Sequence, residues 1–166
     1  MSRRPTMPDP RSWLGRALLL TTLALPPLAC RDEPDIPDCE EDQASEICEV
    51  FRLVNTERAD ADLPAQAWDR ELAVAAQLHA EDMVDNDYFD HTSLDGRSFS
   101  DRAQDAGYEG FPRGENIAAG QQTPQQVMEA WMGSTGHRQN ILSDADEIGV
   151  GFANNHWVQV FGQGAP

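Results

Sequence analysis

Histidine titrates nearest neutral pH and is a common metal ligand, so the four histidines are the first places to look for chemistry in this chain. His137 lies in the stretch 131–142, Trp-Met-Gly-Ser-Thr-Gly-His-Arg-Gln-Asn-Ile-Leu. A helix ending on Trp131 and Met132 is expected to run into Gly133 and Gly136, which accept positive φ, so that a sharp turn presents His137. His91 follows two aromatics in Tyr88-Phe89-Asp90-His91-Thr92-Ser93, a loop rather than an apolar stripe, and loops on a rigid scaffold are where site residues collect. His79 falls within an apolar stripe and reads as a core residue bonded to backbone, and His156 as a solvent-facing residue at a hairpin edge. Glu115, in Gly114-Glu115-Asn116-Ile117-Ala118, places a carboxylate beside an apolar turn. Ser134 stands three residues before His137, but Gly133-Ser134-Thr135-Gly136 lacks the Gly-x-Ser-x-Gly elbow of a serine nucleophile, and no oxyanion hole is visible.

Helices and strands must hold these residues in place. Ile47, Val50, Phe51, Val54 and Arg58 recur at helical spacing after Ser45, a natural N-cap, and Leu63-Pro64-Ala65 ends that helix. Asp69 opens a second amphipathic helix, with Leu72, Ala76, His79, Ala80 and Met83 on one stripe, that ends near Asp85-Asn86-Asp87. A short third helix is expected over 98–106, closed by Gly107. Thr123-Pro124-Gln125-Gln126 starts a fourth, with Thr123 as N-cap, Pro124 at the first helical position and Gln126 placed for a capping box. Stretches 148–153 and 157–161 are rich in β-branched and aromatic residues and flank Asn154-Asn155, which predicts a hairpin.

The stretch 1–29 has a basic start, the apolar run 17–25 and small residues before Cys30, as a secretory leader does, and the run is too short to span a bilayer comfortably. Leu28-Ala29-Cys30 resembles the cleavage box of bacterial lipoproteins, although Pro27 departs from it. That resemblance implies a lipidated Cys30 and an exported protein anchored to a bacterial membrane, or a secreted one if Cys30 stays free. Residues 30–45, with Pro34 and Pro37 among many carboxylates, read as an acidic tether, and 46–166 as one domain. Cys39 and Cys48 read as one local disulfide fastening the tether to the first helix. The leader holds four of the twelve basic residues and one of the twenty-nine acidic ones, so the rest carries eight against twenty-eight, a net charge of −20. Every basic residue is arginine. Such a surface repels phosphate backbones, which excludes nucleic acid as a partner.

His79-Ala80, Phe89-Asp90-His91-Thr92-Ser93, Gly107-Tyr108, Gly114-Glu115-Asn116-Ile117-Ala118, the stretch 131–142, Ile148-Gly149-Val150-Gly151 and Trp157-Val158-Gln159-Val160-Phe161 occur in one order over 47–162. Together they resemble the CAP superfamily, also called SCP, which groups cysteine-rich secretory proteins, antigen 5 and plant pathogenesis-related proteins. The resemblance is to its secreted bacterial branch. It implies an α+β fold, a three-layer α-β-α sandwich with a small central antiparallel sheet, and a cleft lined by His91, Glu115 and His137. Ser134 occupies the position where eukaryotic members carry a second glutamate.

Two imidazoles and a carboxylate in one cleft can hold a divalent cation such as Zn²⁺ with positions left open, as sites that activate water do. Without metal they can serve as an acid and base pair, Glu115 raising the pKa of a neighbouring histidine. The same groups can also be a buried polar network that ties loops to the sheet. Two functions follow from the resemblance. One is an extracytoplasmic binding module for a divalent cation, a lipid or sterol, or an envelope polymer; the other is a metal-dependent hydrolase or peptidase.

Overall fold

The computed structural model describes residues 34–39 and 45–165; the leader, Cys30 and most of the expected tether lie outside them. In chain order the elements are α1 (Glu46–Asp60), β1 (Ala67–Trp68), α2 (Arg70–Asp85), α3 (Phe99–Asp105), β2 (Phe111–Ala119), α4 (Pro124–Gly133), α5 (Thr135–Ile141), β3 (Glu147–Ala153) and β4 (His156–Gln163). The sheet runs β1-β3-β4-β2. Its three long strands are antiparallel neighbours, and the two-residue β1 adds in parallel beside β3. Helices α2 and α3 cover one face and α1, α4 and α5 the other, which is the α-β-α sandwich expected from the sequence. Among the described residues, no helix is long and apolar enough to cross a membrane.

The two cores follow from the alternation of side chains along β3 and β4. Ile148, Val150, Trp157 and Phe161 face Val50, Val54, Val127 and Trp131, whereas Val158 and Val160 join Leu72, Ala76, Met83 and Ile117 on the opposite side. Between the apolar residues of β3 stand Gly149 and Gly151, directly beneath the backbone of α2. A hairpin joins β3 to β4 through Asn154 and Asn155, both at positive φ, as a tight two-residue turn requires.

Side chains cap the starts of the first four helices. Ser45 accepts from Cys48 N at 3.3 Å, Asp69 from Leu72 N at 2.7 Å, and Ser98 and Asp101 make a reciprocal capping box on α3. Thr123 accepts from Gln126 N at 3.2 Å, but the Gln126 side chain accepts from Gln122 N at 2.8 Å, one residue before the expected position. Arg58 shares the inward face of α1 and is 2% exposed because its guanidinium donates to the carbonyls of Pro64, Ile141, Ser143 and Ala145, pinning the α5–β3 connection to α1. The Cys39–Cys48 disulfide is present, with a Cα–Cα distance of 5.0 Å. It draws Cys39 into the core, and Ile36 packs nearby on Ala73 and Val74, so this part of the expected tether is integral to the domain.

Three local expectations change. Gly133 and Gly136 do not adopt positive φ; the break comes at Ser134, whose extended backbone ends α4 and begins α5. His137 therefore sits on a short helix rather than in a tight turn. Residues 114–118 form strand rather than a turn, because β4 offers a complete antiparallel partner. His156 is half-buried, not solvent-facing: its ring centroid lies 6.3 Å from that of Phe89, and its Nδ1 is 3.2 Å from Asn154 O.

Candidate functional site

The site is built around β2, the last strand of the sheet, whose two faces look onto different layers. Glu115 and Ile117 point to the side of α2 and α3, and Asn116 and Ala118 to the side of α4 and α5. One strand thus gathers side chains from both layers at one edge.

On the first side, the Glu115 side chain is 1% exposed and has both oxygens engaged: Oε1 lies 2.8 Å from His91 Nδ1, and Oε2 accepts from Arg102 Nη2 at 2.5 Å. A carboxylate taken out of water needs a counter-charge, and Arg102, itself 4% exposed, supplies it. The rest of its fork fastens the loop that carries His91. Both Nη atoms donate to His91 O at 3.1 Å, and Nη1 also donates to Ser93 Oγ at 3.0 Å and Arg97 O at 3.1 Å. His79 is fully buried, as expected of a core residue, and its Nε2 is 3.0 Å from Asp90 O. A carbonyl only accepts, so Nε2 carries the hydrogen and braces the same loop from beneath.

On the second side, Asn116 Nδ2 donates to His137 O at 3.1 Å and to Gln159 Oε1 at 3.0 Å. Asn140 Nδ2 donates to Asn116 Oδ1 at 2.8 Å and to Glu115 O at 3.1 Å. These bonds clip α5 to the sheet edge and satisfy a backbone carbonyl of β2. The contact is tight: a Cβ on Gly114 would stand 3.0 Å from Asn140 Oδ1.

The two imidazoles differ in character. Hydrogen bonding to Glu115 raises the His91 pKa, outweighing the opposing effect of burial. His137 shifts downward, first through burial and then through the nearby charge of His91. Protonated His91 therefore adds stability that is complete below its ordinary value of 6.5 and fades as the pH rises through its folded pKa. For His137 the sign is opposite: stability present above 6.5 is lost as the pH falls through its folded pKa. An NMR pH titration of the imidazole protons should show His91 losing its proton at a higher pH than His137, and Glu115→Gln should bring the two midpoints together. Identical midpoints in the parent would contradict the hydrogen-bond assignment.

Glu115 thus stands behind His91, and His137 lies on α5, which is clipped to the same strand. Ser134 is half-buried between α4 and α5 and makes no capping bond. Glu115, the carboxylate that a serine mechanism would need beside His137, is engaged by His91 and Arg102 instead. Among the described residues, no three His, Cys, Asp or Glu side chains are grouped to hold a metal ion. A cation here would have the two imidazoles as protein ligands, with Glu115 as the outer carboxylate that fixes the His91 tautomer. Sequence reasoning did not find Arg102, Asn116, Asn140 or Gln159. Asn116 and Asn140 lie within recognised motifs, but Arg102 carries no local signal beyond being a cation on an inward helix face.

Comparison with known proteins bears on the family and the fold. The family model described as the cysteine-rich secretory protein family, CAP, matches residues 51–161. YkwD of Bacillus subtilis, an uncharacterized protein, is 41% identical over 115 residues, and YlbC of the same organism, an uncharacterized membrane protein, is 34% identical over 114. Each alignment takes in 68% of this chain but only 45% and 33% of those relatives, so the chain spans less than half of their length. Among solved structures, an extracellular SCP-domain protein from Bacillus anthracis superposes with a TM-score of 0.67 at 35% identity, covering 71% of this chain and 40% of that one. An outer surface protein of Borrelia burgdorferi shares the fold, with a TM-score of 0.66 at 23% identity over 75% of this chain and 96% of its own. From Phe51 to Phe161, in sequence and in fold alike, this chain belongs to the cysteine-rich secretory protein family, CAP.

Proposed function

We propose that this protein is an exported binding module of the bacterial envelope whose cleft recognises a polar envelope polymer through His91 and His137. The observation behind this reading is the engagement of Glu115 by His91 and Arg102, which turns the carboxylate inward and leaves the His91 ring half-exposed. With Nδ1 held by Glu115, His91 directs Nε2 outward, where its protonated form donates to a hydroxyl, carbonyl or acid oxygen of the polymer. Neutral His137 both donates and accepts, so the pair suits a ligand rich in oxygen. Export draws support from the basic and apolar leader and from the extracellular and outer-surface relatives, and a lipid on Cys30 would keep the domain at the membrane.

Cosedimentation with purified, insoluble cell-wall sacculi tests the proposal. The protein is expected in the pellet, and His91→Ala and His137→Ala should each weaken binding by about tenfold while leaving the circular dichroism unchanged. Equal binding by both variants, or partition into lipid vesicles instead of sacculi through the same residues, would overturn it.

The opposite shifts of the two histidines favour a second reading, hydrolysis of the same polymer, with His91 as general acid and His137 as general base. In a metal-dependent version the two imidazoles would be zinc ligands instead of acid and base, and Zn²⁺ would supply an activated water. Calorimetric zinc titration of the parent and both variants separates a metal site from adventitious binding to the acidic surface. A time-dependent fall in turbidity of the sacculi, lost in either variant, would move the assignment from binding to catalysis.

A further inference from the structure

A second site lies where the loop after α2 meets the β3–β4 hairpin. Tyr88 N bonds to Met83 O at 3.1 Å, closing the end of α2, and Asp87 between them sits at φ 52°. Glycine is the inexpensive residue at such a position, since a side chain there meets the backbone. Aspartate, which tolerates this conformation, stands there instead, with its carboxylate exposed to solvent at the mouth of the cavity. It lines a cavity of about 320 Å³, together with Met83, Tyr88, Phe89, Asn154 and His156.

The aromatic walls are held in place. The Tyr88 hydroxyl donates to Asp82 Oδ2, and its ring meets His79 edge-on at 6.2 Å. His156 is oriented by the Asn154 carbonyl, and its ring is tilted 58° to that of Phe89. Phe89 is 51% exposed, an unusual exposure for a phenylalanine pinned by a ring contact. No arginine lines the cavity, and the chain has no lysine to reach it.

Exposed aromatic rings and one carboxylate suit a soft, positively charged organic group. A single carboxylate is too few oxygens for Ca²⁺ or Mg²⁺, and a neutral apolar ligand would gain nothing from Asp87. We propose that this cavity binds an organic cation of the alkylammonium or quaternary ammonium class, seated against the exposed ring of Phe89 with Asp87 as its counter-charge. Neither His91 nor His137 lines this cavity, and the proposal does not depend on how those two residues are used.

Choline and its uncharged carbon isostere, 3,3-dimethyl-1-butanol, are the probes, titrated into the full chain at constant ionic strength and followed by two-dimensional NMR. Choline is expected to shift the Tyr88, Phe89 and His156 resonances saturably, and the alcohol to bind at least about fivefold more weakly. Asp87→Asn, which keeps a residue that tolerates positive φ, and Phe89→Ala should each weaken choline binding by about fivefold or more. Asp87→Gly should lose binding too while leaving the fold at least as stable. Equal binding of choline and the alcohol would reduce the site to an apolar hole. Choline binding unchanged in both Asp87→Asn and Phe89→Ala would mark it as adventitious attraction to an acidic surface, and no saturable shift would dispose of the site altogether.

Discussion

Arg102→Met is expected to lower unfolding stability by about 3–5 kcal/mol, because it leaves the Glu115 carboxylate buried without its cationic partner. The Ser93 hydroxyl and the carbonyls of His91 and Arg97 each lose a hydrogen bond at the same time, although Arg97 O keeps the one from Ser93 N. The loop carrying His91 should loosen with the ion pair, so binding at the cleft and global stability fall together. Chemical denaturation of the parent, Arg102→Met and the double variant Arg102→Met/Glu115→Leu distinguishes a buried charge from simple loss of packing. Removing both members of a buried pair is far less damaging than removing one, so the double variant should recover much of the deficit. A double variant at least as unstable as the single one would show that Arg102 acts through its backbone acceptors and not through Glu115.

Gly149→Ala and Gly151→Ala should be damaging for a different reason. A Cβ at Gly149 would lie 2.0 Å from Ala73 N, and one at Gly151 would lie 2.3 Å from Ala76 C, both backbone atoms of α2. No side-chain rotation relieves such a contact, so α2 must lift from the sheet and surrender the packing of Leu72, Ala76 and Val158. We expect each substitution to cost about 3 kcal/mol or more, at or beyond the upper end of ordinary overpacking. Gly133→Ala is the control. Its Cβ would meet nothing within 4 Å, and alanine in a helix should leave stability unchanged or raise it by up to about 1 kcal/mol. If all three variants melted alike, the close approach of α2 to β3 would be wrong.

Much of this protein is legible in its sequence because the signals are local. Ser45, Asp69, Ser98 and Thr123 mark helix starts through hydrogen bonds within three residues, and Asn154-Asn155 marks the hairpin through its backbone preference. The inward stripe of α2, His79 included, follows from a period of 3.6 residues, and the order of short motifs points to the family. Three site residues, His91, Glu115 and His137, are recognisable by type and motif.

What they do to one another is decided by contacts that no spacing encodes. Glu115 and His91 are 24 residues apart, and they meet only because β2 pairs with β4 while α3 brings Arg102 over the same face. Whether a carboxylate serves as a ligand or as a brace depends on which cation reaches it first in space, and here Arg102 does. The strand at 114–118 depends likewise on β4 as a partner, since a short run containing glycine and a charge has little strand preference of its own. The break at Ser134 comes from the fit of α5 against the sheet edge, through Asn140 and Asn116, where glycine propensity suggested a turn. Local backbone chemistry thus determined the elements, and tertiary packing alone assigned each functional side chain its partner, its exposure and its proton affinity.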